Sequence, residues 1–76
     1  MALSEGDEVV FNVDFVKGDT MIDVGESGTV KTVCEHPYID YGQNMTQRTS
    51  TTYFVIAKRM LWMCFPGEVS KKGGER

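Results

Sequence analysis

Few side chains in this chain could carry chemistry. His36 is the sole histidine, and Cys34 and Cys64 are the only two cysteines. A histidine working as a general base needs a nucleophile to deprotonate and a third group to orient its ring. Cys34 stands two positions from His36, so a regular strand would put both on one face. No further partner stands beside them, and His36 reads as a surface or structural residue. Zinc asks for about four Cys, His or carboxylate ligands in a tetrahedral array; one histidine and two widely separated cysteines do not supply it. Asp14, Asp19 and Asp23 could gather around calcium, but the EF-hand spacing is missing, and a solvated acidic loop is expected instead. No glycine-rich phosphate loop opens a helix. The expectation is a non-enzymatic protein with no catalytic, metal or cofactor site. The alternative is a small enzyme whose site forms at an oligomer axis, where each subunit gives one or two groups.

The elements that would position any site must come from 76 residues. That length makes one small domain, expected over 1–72, with the charged, Gly-rich 73–76 as a frayed tail. A chain this short buries only about 60–65% of its unfolded surface, and such domains usually add disulfides, metals or association to their core. The start, Met-Ala-Leu-Ser-Glu-Gly-Asp-Glu, has neither the basic residues nor the apolar run of a signal peptide. No stretch approaches the ~20 apolar residues of a membrane span. A cytoplasmic protein with free thiols is therefore expected. Residues 1–40 hold nine acids and two bases, a balance of −7, and residues 41–76 hold two acids and six bases, a balance of +4. A nucleic-acid binder carries its basic excess on the main body, so the acidic first half speaks against that class. In that class Arg48, Lys58, Arg59, Lys71 and Lys72 would contact phosphate.

Alternation begins early. Val9, Phe11, Val13 and Phe15 share one face of a half-buried strand, with Glu8, Asn12 and Asp14 opposite. Residues 16–27 read as a loop with a short extended piece around Met21-Ile22, since Gly18-Asp19 and Gly25-Glu26-Ser27-Gly28 are turn residues. In the next strand, over 29–35, Val30 and Val33 lie three apart, which in a strand means a bulge or a strong bend. Polar residues 36–50, with Pro37, Gly42 and Asn44, read as a long loop, and loops of that length are often functional. A third strand over 51–57, a tight turn at Lys58-Arg59, a fourth strand over 60–65 ended by Pro66-Gly67, and a short Val69-Ser70-Lys71 strand complete the chain.

Gly6-Asp7-x-Val9, followed by Gly25-x-x-Gly28-x-Val30-x-x-Val33, resembles the opening hairpin of KOW-type and related SH3-like barrels. Tyr53-x-Val55 and the Pro66 to Val69 spacing are similar to the later strands and closing turn of that class. The resemblance spans about residues 4–72 and implies an all-β fold, a small five-stranded antiparallel SH3-like barrel with long loops. Trp62 stands alone here, without the adjacent tryptophans of peptide-binding SH3 domains, so the resemblance does not extend to proline-rich ligands.

The functional signal lies in strands three and four. Tyr53-Phe54-Val55-Ile56-Ala57 and Met60-Leu61-Trp62-Met63-Cys64-Phe65 are uninterrupted apolar runs. A strand in a single curled sheet has one core face and one wet face and should alternate. With Tyr53, Val55, Leu61, Met63 and Phe65 on one face, Phe54, Ile56, Met60, Trp62 and Cys64 fall on the other. An exposed face of that kind marks an interface. The expectation is a homo-oligomer, a dimer or larger, held through Phe54, Ile56, Met60 and Trp62. The 36–50 loop is the other possible cover for that face. Its Tyr38, Tyr41 and Arg48 are candidates for contacting a second protein.

Overall fold

The computed structural model describes residues 3–73. It is all-β: β1 (Glu8–Phe11), β2 (Phe15–Lys17), β3 (Thr20–Ile22), β4 (Ser27–Asp40), β5 (Thr46–Ala57), β6 (Met60–Cys64) and β7 (Val69–Lys71). One five-stranded sheet runs in the order β6-β5-β4-β1-β7, and β2 with β3 makes a separate two-stranded sheet. Neighbouring strands in both sheets pair antiparallel. The described residues measure 40 × 32 × 18 Å, and 18 Å is about the thickness of two sheet layers. The tail expected at 73–76 lies outside the described residues except for Gly73.

The core lies on one side of the five-stranded sheet. Val9, Val55 and Cys64 are fully buried there, together with Phe11, Val30, Trp62 and Val69. The β2–β3 hairpin lays Ile22 into this core, and Phe15 packs against it. Phe15 meets Phe11 edge-to-face at 5.6 Å and Trp62 at 6.1 Å between ring centroids, within the range of favourable aromatic pairs.

The bend expected between Val30 and Val33 is a bulge. Val30 pairs with Val55 and Thr32 with Phe54, so Lys31 is the extra residue. The bulge keeps Val30 and Val33, three apart, both facing the core side, and it bends β4 where the sheet curls. Just before it, the backbone of β4 passes close over β5. A Cβ on Gly28 would lie 2.6 Å from Val55 Cγ1 and 2.9 Å from the Ile56 carbonyl oxygen. Only a hydrogen fits there.

Three expectations are corrected. The strand read through 9–15 stops at Phe11. Asn12 turns away because its amide donates to the Glu68 carbonyl and its side chain to the Gly67 carbonyl and Ser70 hydroxyl. Val13 is left exposed, while Phe15 re-enters the core from β2. Next, residues 36–50 are not a loop. β4 and β5 stay paired out to Asp40↔Thr46, and from Cys34↔Thr52 onward they form a two-stranded arm whose tip is the short 3-10 turn Tyr41–Gln43. Finally, the faces of the second hairpin lie one residue out of step with the expected match. The Lys58-Arg59 turn joins Ala57 to Met60, so Val55 pairs with Trp62 and Ile56 with Leu61. A two-residue turn sets odd positions on β5 beside even positions on β6, and a slip of one residue exchanges the faces.

Gly28→Ala should cost about 1–3 kcal/mol of stability, read as a lower urea midpoint, because the new methyl meets backbone as well as a side chain.

Candidate functional site

The corrected register decides what each apolar residue does. Trp62 is 2% exposed. Its indole Nε1 donates to the Ala57 carbonyl at 2.8 Å, which satisfies the one polar atom such a ring carries inward. The Lys17 ammonium lies 5.2 Å from its ring centroid and donates to the Leu61 carbonyl at 2.6 Å. Trp62 is thus covered by the β2–β3 hairpin and is a core residue; it cannot be the anchor of a contact with another molecule. Met60, on the same face, is half-buried against the core. Phe54 and Ile56 stay on the outer face.

On that outer face the register sets Ile56 beside Leu61 and Phe54 beside Met63. Phe65 follows at the next alternate position past β6. Phe54 is half-buried, Ile56 38% exposed, Leu61 43%, Met63 57% and Phe65 48%. Five large apolar side chains therefore form a continuous band on the wet side of one hairpin. Scattered apolar residues on a surface need no explanation, but contiguous ones mark sites of contact. Leu61, Met63 and Phe65 were expected on the core side. The length of the turn was the missing signal.

The arm does not cover this band. Tyr38, Ile39, Tyr41 and Met45 are themselves exposed on it. Tyr38 pairs with Arg48, and Arg48 Nε reaches Asp40 Oδ2 at 3.0 Å. The three proposed partner-contact residues split: Tyr38 and Arg48 sit together on the arm, while Tyr41 belongs to its tip. His36 pairs with Ser50 and Cys34 with Thr52, so the two stand on one face of the arm at successive alternate positions. No group of three His, Cys, Asp or Glu side chains gathers among the described residues. No helix among them is long and apolar enough to cross a membrane.

A small polar clasp fixes the opposite end of the second hairpin. Lys58 and Arg59 both sit in the left-handed region, at φ 51° and 62°, a conformation that costs a non-glycine residue about 1–2 kcal/mol. The two-residue turn requires it. Lys58 then reaches across to the Met21 carbonyl at 2.6 Å and to Glu26 Oε2 at 3.1 Å. Its hydrogen bond, helped by the Asp23 amide, holds the Glu26 carboxyl below its ordinary 4.5. Burial, with Glu68 nearby, pushes the Cys64 thiol up to about 11. A thiol held protonated is a poor nucleophile, and Cys64 is a packing residue.

The chain matches no family model, and neither the curated proteins nor the solved structures give a match.

Two measurements follow from these surroundings. A native chain should react with a thiol reagent at half-exposed Cys34, while Cys64 reacts only on unfolding; fast reaction at both would contradict the burial of Cys64. A carboxyl with a lowered folded value stabilises fully above its unfolded value and loses that stabilisation as pH falls through the folded one. Glu26→Gln should therefore lower the urea midpoint at neutral pH and leave it unchanged in acid well below 4.5.

Proposed function

We propose that this chain is a cytoplasmic, non-enzymatic protein-interaction module that forms a homo-oligomer through the outer face of its second hairpin. The observation that carries this reading is the band Phe54, Ile56, Leu61, Met63 and Phe65, contiguous on one face of the hairpin, with every member except half-buried Phe54 exposed. We also read the fold as an SH3-like barrel. Its support is the strand order, in which a three-strand meander β4-β5-β6 is flanked by β1, and the last strand lies outside the first. The separate β2–β3 hairpin occupies the long first connection, folded over the core.

Magnitudes set the strength of the association. Burying a large apolar side chain is worth roughly 1.5–3 kcal/mol. Five that are about half covered already have roughly 4–7 kcal/mol left to gain. Association costs about 4–15 kcal/mol in lost freedom. The band alone therefore supports a weak, concentration-dependent pairing, and a tight one requires a second contact. The cations bear on the choice of partner. Arg48 and Lys58, two of those that would contact phosphate, are ion-paired within the chain to Asp40 and Glu26. That favours an apolar protein surface as the occupant.

Sedimentation equilibrium over a wide concentration range tests this. The wild-type chain should associate, and Met63→Asp should weaken association by about ten- to a hundredfold, equivalent to about 1.4–2.8 kcal/mol, with the fold intact. A wild-type chain that stays monomeric at high concentration would overturn the reading.

A further inference from the structure

The arm offers the second contact. β5 pairs with β6 only from Tyr53 to Ala57, and Cys64 marks the end of that pairing. Beyond it, residues 47–51 pair with β4 on one side and, among the described residues, carry no strand on the other. Alternation along β5 turns the N–H and C=O groups of Gln47, Thr49 and Thr51 toward this bare side. They lie in line with β6, as though a further strand were to continue it.

Proteins guard such edges with lysine, proline or very short strands, and the other edges of this chain follow that rule. On β6, Lys17 holds the Leu61 carbonyl. β7 is three residues long and ends in Lys71, followed by Lys72. On the arm's other margin, β4 carries Pro37 opposite Thr49. A proline fits a ladder only where its nitrogen faces away from the partner strand, so Pro37 blocks the outer side of β4. The 47–51 edge has no proline and no lysine. Its one charge, Arg48, is neutralised by Asp40. The run Gln47-Arg48-Thr49-Ser50-Thr51-Thr52 is rich in β-branched threonine, which suits an extended, paired strand. A two-stranded ribbon standing alone is marginal in water, which leaves the arm in need of a neighbour.

We infer that the 47–51 edge of β5 pairs antiparallel with the same edge of a second copy, so that two arms lie side by side as a four-stranded ribbon. The edge is its own complement. With the two-fold axis at Thr49, Thr49 faces Thr49 of the other copy, and Gln47 faces Thr51 in both directions. The three outward positions supply about six backbone hydrogen bonds. Thr–Thr pairs across strands are favourable, and Arg48 meets Ser50 rather than another charge. This register carries the tip of each arm to the end of the other copy's β6. The tip exposes Tyr41 (74%) and Met45 (64%); the end of β6 exposes Met63 (57%) and Phe65 (48%). Arm pairing and the apolar band then become parts of one symmetric contact. The inference rests on self-association as the function and adds its geometry.

Amide hydrogen exchange and sedimentation on three full-length chains test it. In the wild type the amides of Gln47, Thr49 and Thr51 should slow as concentration rises through the association range. Thr49→Pro removes an amide that faces away from β4 and should abolish association, with exchange in β1, β4 and β6 unchanged. Thr49→Val keeps the amide and should associate like the wild type. If Thr49→Pro still associates and the three amides exchange freely at all concentrations, arm pairing is overturned while the apolar band stands. If Thr49→Pro dissociates and Met63→Asp does not, the arm holds and the band falls. A monomeric wild type overturns both.

Discussion

The bond from the Trp62 indole to the Ala57 carbonyl locks the polarity that the Lys58-Arg59 turn gives the whole sheet. It closes across a two-residue turn and keeps the largest side chain of the second hairpin on the core side. Because strands alternate with a period of two, one placement settles all the others. Val55 and Cys64 go inward with Trp62, and Phe54, Ile56, Leu61 and Met63 go outward. The Lys17 and Lys58 side chains hold the β2–β3 hairpin over this arrangement from its two ends. The left-handed strain of the turn is the cost of a register that lets Lys58 reach Met21 and Glu26.

The strands differ in how far they could be read from their residues. A bulge or bend in this strand was legible because Val30 and Val33, three apart, break a period of two; the pairing places the extra residue at Lys31. The turn at Lys58-Arg59 and the end of β6 before Pro66 were legible for similar local reasons. The inner and outer faces of the second hairpin were not. In a run with no polar residue, alternation carries no information, and the choice falls to the turn. Trp62 and Leu61 changed places for that reason.

The arm was misread by a different route. Residues 46–52 contain no apolar side chain, and Pro37 opposes them. Burial patterns identify strands that have a core to face; a ribbon that projects past the core has none. Its signal was the density of threonine, a β-branched residue that stiffens an extended chain without making it greasy. Over residues 46–51 polar character reports solvent on both faces of a strand rather than the absence of one.

The pairing of β1 with β7 has a consequence for the order of folding. Val9 meets Lys71, so this ladder closes a loop of nearly the whole chain, whereas β4–β5 and β5–β6 join neighbours in sequence. The entropy of closing a loop grows with its length, and contacts of long sequence separation slow the search for the native state. The central meander is the cheap part to assemble. Capture of the first strand between β4 and β7 is the costly step, and until it happens Val9 and Phe11 have no interior to occupy. Loop-closure entropy therefore concentrates the cost of assembly at the seam between β1 and β7.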